Sequence, residues 1–102
     1  MALTKIDEYE INYSANKFPP RISLKAGDKF VGQLVFKPDG STLPPDAIVG
    51  DQVNLFYHLQ DFQNIIDLLR NEKPMFLLWS GLGGENGIKT NLEYVGEGDK
   101  GW

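Results

Sequence analysis

Val53-Asn-Leu-Phe-Tyr-His-Leu-Gln-Asp-Phe-Gln-Asn-Ile-Ile-Asp-Leu-Leu-Arg-Asn-Glu-Lys-Pro-Met-Phe-Leu-Leu-Trp79 changes its hydrophobic period twice, and those changes decide the fold. Val53, Leu55, Tyr57 and Leu59 alternate with polar or mixed residues, the period of a half-buried strand. From Leu59 the apolar positions fall at Phe62, Ile65, Ile66 and Leu69, which line one face of a helix. Gln63, Asn64, Asp67, Arg70 and Asn71 take the opposite face, so the spacing predicts a helix over about residues 59–72. Two starting registers are open: Asp61 caps directly, or His58 occupies the cap and Asp61 lies in the first turn, where its charge suits the helix dipole. Pro74 ends the helix because it disfavours a helical Lys73. The unbroken apolar run Met75–Trp79 then reads as a central strand covered on both faces.

Outward from this unit, the pattern is strand-rich. Ile6 to Tyr13 reads as one strand, with Tyr9, Ile11 and Tyr13 inward and Glu8, Glu10 and Asn12 outward. Phe18-Pro19-Pro20 forces extended backbone lying across the sheet. Arg21–Lys25 and Phe30–Lys37 form a hairpin through the turn Ala26–Lys29, with Phe30, Gly32, Leu34 and Phe36 on one face of the second strand. Gly32 in mid-strand signals a bulge or a close approach by another side chain. Residues 38–51 form the main irregular stretch, either a mobile recognition loop or a loop packed by Leu43, Ile48 and Val49. After a glycine-rich connection, Ile88 to Val95 alternates as a final strand.

These elements predict an α+β domain spanning residues 1–95: a mostly antiparallel curved sheet or open barrel of about six strands, with the single helix against it. Residues 96–102 carry no apolar periodicity and read as a flexible tail. At 102 residues, 41% hydrophobic and 24% charged, the chain can bury a core without metal or disulfide staples.

Composition also excludes functions. A net charge of −4, with ten scattered basic residues, argues against a nucleic-acid partner. There are no cysteines, which removes disulfides, thiol nucleophiles and thiolate metal sites and suits a reducing compartment. The opening residues lack a basic region followed by an apolar stretch, and no apolar run reaches bilayer length, so the reading is cytoplasmic with no membrane partner.

Motifs with chemical meaning are weak. Gly81-Leu-Gly-Gly-Glu-Asn-Gly87 follows a strong strand, but Asn86 stands where a dinucleotide fingerprint needs glycine, and a strand follows instead of a helix. Ile88 likewise occupies the place of the P-loop glycine before Lys89-Thr90. His58 is the only histidine, so one chain cannot build a histidine metal cluster. His58 and Asp61 could form an acid–base pair at the start of the helix. Tyr57, Gly81, Gly83 and Gly84 would then line a small-ligand cleft beside them. Asp39, Asp46 and Asp51 match no calcium-loop spacing. No cofactor or metal is implied.

The stronger signal is apolar surplus. Phe56 opposes Leu55 and Tyr57, while Phe76 and Leu78 oppose Met75, Leu77 and Trp79, so both faces of these strands carry large apolar groups. One helix cannot cover both. Either a second sheet or a closed barrel does, or a face is left for a partner. The expectation is a non-enzymatic interaction or regulatory module, binding a protein partner or its own copy as a homodimer through Phe56, Phe76, Leu78, Leu43 and Ile48 and the 38–51 loop. The alternative is a small-ligand binder or modest acid–base enzyme centred on His58 and Asp61.

Overall fold

The computed structural model describes residues 2–91. The expected continuation of the last strand to Val95 and the tail 96–102 lie outside them. The fold is α+β, with eight strands in two sheets that do not close into a barrel. The strands are β1 (Ala2–Ile6), β2 (Glu8–Asn12), β3 (Arg21–Ala26), β4 (Lys29–Lys37), β5 (Ala47–Val49), β6 (Gln52–His58), β7 (Met75–Trp79) and β8 (Gly87–Thr90). Helix α1 (Phe62–Asn71) follows β6 through the 3-10 turn Leu59–Asp61. The larger sheet has the order β2-β3-β4-β6-β5 and the smaller one β1-β7-β8. Strand pairing is antiparallel throughout except between β4 and β6, which run parallel.

The count exceeds six for two reasons. The expected strand Ile6–Tyr13 is two strands in different sheets, divided at Asp7. Asp7 N donates to Lys25 O at 2.8 Å, and Asp7 Oδ2 accepts from Gly27 N at 2.7 Å. These bonds pin the corner against the β3–β4 turn, so one extended segment serves both sheets. The second added strand, β5, lies in the stretch read as irregular and forms a hairpin with β6. Both tight hairpins use the same dipeptide, Gly27-Asp28 and Gly50-Asp51, with glycine at φ 63° and 65° in the left-handed region that two-residue turns require. Lys29 and Asp51 form an ion pair between the two turns. Lys29 holds the Asp51 carboxyl below its usual range, but both groups are exposed and the pair adds little stability.

The core confirms the two decisive period changes. Ile65, Ile66 and Leu69 of α1 are buried, as are Met75 and Leu77 of β7, and they join Ile22, Leu24, Leu34, Phe36, Val53 and Leu55 of the larger sheet in one cluster. Each fully buried Leu, Ile or Phe contributes about 1.5–3 kcal/mol relative to exposure. The helix ends at Asn71 before the cis Lys73–Pro74 bond.

Three inward assignments are corrected. Ile11, on the edge strand β2, and Tyr13, just beyond its end, are exposed, although Tyr13 still stacks edge-on against Phe62 at 5.3 Å. Phe30 is 38% exposed. The register shifts between Leu24 and Lys25, which pair with Gly32 and Phe30 respectively, so Val31 is skipped. This bulge moves Phe30 to the outer face, where the Lys25 ammonium lies 5.2 Å from the ring centre, and Val31 packs against the core instead.

Gly32 sits directly across from the bulge, and the close approach expected there is present. A Cβ at Gly32 would lie 2.6 Å from Val53 O and 3.3 Å from Leu77 Cδ2. This position is where β7 of the small sheet meets β4 and β6 of the large one. Gly32→Ala is therefore expected to cost about 1–3 kcal/mol of unfolding free energy, measured by urea denaturation. A neutral result would show that the sheets do not meet at this point.

Candidate functional site

The corner between β6 and α1 was the sequence candidate for chemistry. His58 holds extended backbone (φ −82°, ψ 152°) at the cap position of the 3-10 turn, with Asp61 in that first turn. Both starting registers are thus present in succession, His58 at the cap of the 3-10 turn and Asp61 at the cap of α1, yet neither side chain makes a capping bond. The loop after β4 supplies the cap instead: Asp39 Oδ1 accepts from Gln60 N at 2.7 Å. The carboxylate satisfies a free amide and places negative charge at the helix start. His58 Nε2 donates to Ser41 O at 2.7 Å. A carbonyl only accepts, so Nε2 carries the proton in this arrangement. Ser41 is itself held by its Oγ and N, which donate to Pro38 O at 2.6 and 3.1 Å. No hydrogen bond or ion pair joins His58 to Asp61, so the geometry does not build a base with an orienting acid.

A second cluster lies farther along the same loop. Asp46 Oδ1 accepts from Phe56 N at 3.2 Å, and Asp46 Oδ2 accepts from Asn86 Nδ2 at 3.2 Å. Asn86 Nδ2 also donates to Gly81 O at 3.1 Å, while Asn86 Oδ1 accepts from Ser80 N at 2.7 Å. Two side chains thus close the β7–β8 loop on itself and tie it to the loop before β5. Gly81 serves this network through its carbonyl, whereas Gly83 and Gly84 form a wall of an open groove of about 660 Å³. Leu43, Pro44, Pro45, Ala47, Phe56 and Leu82 supply its apolar surface, and Leu82 is 75% exposed.

Tyr57 does not line this groove. Its ring stacks on Phe36 with centroids 5.7 Å apart, and its hydroxyl lies 3.2 Å from the position of a Cβ on Gly87. Burial, with the charges of Asp46 and Asp61 adding to it, pushes the Tyr57 hydroxyl up to about 12.

The five expected contact residues are placed differently from one another. Phe56 and Leu43 reach the groove, and Ile48 is 50% exposed on the edge strand β5. Phe76 is half-buried on the outer face of the small sheet, but Leu78 is only 8% exposed and offers little contact surface. The organising roles of Asp39, Asp46 and Asn86 were not legible in the sequence, where the aspartates are weighed only as calcium ligands and Asn86 only as a departure from a glycine motif. Asp46 and Asn86 stand forty positions apart with no motif to connect them. Among the described residues, no group of three or more His, Asp or Glu side chains could hold a metal ion, and no helix is long and apolar enough to cross a membrane. No protein-family model matches the chain, and no significant match was found among curated proteins or solved structures.

Two outcomes are expected from this geometry. Asp46→Ala leaves the half-buried Phe56 amide without its acceptor and is expected to cost about 1–3 kcal/mol, with faster hydrogen exchange at Ser80. Tyr57 has a folded pKa raised above its unfolded value, so its contribution is fully present below about pH 10 and lost as pH rises through about 12. Denaturation between pH 9 and 12 is expected to show a slope that Tyr57→Phe reduces.

Proposed function

We propose that this protein is a non-enzymatic interaction module of the cytoplasm that associates with its own copy through the groove between the 38–51 and 80–87 loops. The observation that carries the reading is the Asp46–Asn86 contact, which joins loops forty residues apart into a groove with an apolar lining. Pre-organisation matters because ordering mobile loops on association costs free energy. Here much of that ordering is built into the fold. Phe56 is half-buried, Leu82 projects from the rim, and the two prolines stiffen the facing wall, a composition suited to an association surface.

Small-ligand or acid–base function at His58 has less support. Its Nε2 is committed to Ser41 O, and Asp61 does not orient it. The cysteine-free composition fits a reducing compartment.

Light scattering with size-exclusion chromatography tests the proposal. The wild-type chain is expected to run as a dimer at about 100 µM, within the range of a modest interface. Leu82→Asp is expected to give a folded monomer, while His58→Ala leaves the dimer intact. A monomeric wild type, or a dimer indifferent to Leu82→Asp, overturns the groove reading. A metabolite whose thermal stabilisation disappears with His58→Ala would put the acid–base reading in its place.

A further inference from the structure

The outer face of the small sheet carries a second surface that shares no residue with the groove. The chain has 14 acidic residues against 10 basic ones, yet β1, β7 and β8 contain no Asp or Glu at all. Their only charged residues are Lys5 and Lys89. The register places both in one cross-strand row: Lys5 pairs with Phe76, and Phe76 pairs with Lys89. Paired residues share a face, so Phe76 stands between two lysines in the row. Leu3, opposite Leu78, continues the same face and is 46% exposed. The other face carries Ile6, Met75, Leu77 and Ile88 into the core, which fixes Lys5, Phe76 and Lys89 as outward. Both lysines are exposed, Phe76 is half-buried, and neither lysine has an ion-pair partner among the described residues.

We propose that this face docks an acidic, extended segment of another protein, with two carboxylates on Lys5 and Lys89 and an apolar side chain between them on Phe76 and Leu3. Charge complementarity selects the occupant: a cationic row in an acidic chain attracts an anionic partner and repels basic ones. A nucleic acid is disfavoured because tight backbone binding needs many cations, and the remaining acidic surface repels a polyanion. The geometry also sets a spacing. Lys5 and Lys89 are separated by two strand spacings, roughly 10 Å. About three extended residues cover that distance, so glutamates at i and i+3 reach the two lysines with their long side chains while a residue between them faces Phe76.

The probe is the hexapeptide EELPEE, titrated into the isotopically labelled full chain and followed by amide chemical shifts. Shifts are expected at Lys5, Phe76 and Lys89, with binding weakened about tenfold by the double change K5E/K89E and markedly weakened by added salt. Both lysines are exposed, so the double variant is expected to keep the wild-type melting temperature. The lysine counterpart KKLPKK is expected to give no shifts on this face. Three results would each overturn the proposal: no shifts with EELPEE up to about 5 mM, binding that K5E/K89E leaves unchanged, or tighter binding of a thymidylate decanucleotide than of the peptide. Dimerisation through the groove plays no part in this readout.

Discussion

Gly32 has no side chain, and the space where one would stand is taken by the Val53 carbonyl and a Leu77 methyl. The parallel pairing of β4 with β6 and the packing of the small sheet over that pair meet at this point. A protein of this size has little margin for voids or overlaps, since interior packing is as dense as that of organic crystals. With β7 laid over β4 and β6, its C-terminal end delivers Ser80 to Asn86 beside Asp46. The groove is therefore a consequence of sheet packing rather than of anything local to either loop.

The acidic residues divide by what holds them. Asp7 pins the corner between the two sheets, Asp39 caps the 3-10 turn before the helix from a distant loop, Asp46 bridges two loops, and Asp51 pairs with Lys29 between two turns. A carboxylate that accepts backbone amides or pairs with a cation is held in place by those contacts and is not free to orient a reacting group. Much of the polar inventory of the loops is thus spent on architecture. Two surface patches stand apart from that framework: an apolar one around Phe56 and Leu82, and a cationic one beside an aromatic residue at Lys5, Phe76 and Lys89. Such surfaces suit association better than bond making.

The apolar surplus noticed along the chain has a structural resolution. A second sheet covers most of it, which was one of the arrangements the pattern allowed. Leu78 is buried too, although it lies on the opposite face to Met75 and Leu77, away from the larger sheet and outside the main core cluster. Phe56 and Phe76 are left half-covered at separate places, and exposed apolar side chains such as Leu3, Ile11, Val49 and Leu82 are scattered over several elements instead of forming one broad face.

Residue order alone determined the elements whose information is local. The shift from period two to period three-and-four at Leu59, the stop before Pro74 and the apolar run Met75–Trp79 reappear as β6, α1 and β7, because side-chain periodicity reports which face is buried. The glycine of mid-strand β4 was legible for a similar reason: it is unfavourable there unless another element needs the room. Tertiary structure alone decided where Asp7 divides a continuous strand, where the bulge turns Phe30 outward, and that β5 forms within a stretch rich in turn residues. It also brought Asp46 to Asn86 and Lys5 to Phe76 and Lys89. These depend on register and on contacts between distant segments, and a one-residue difference in pairing reverses the face of every residue that follows.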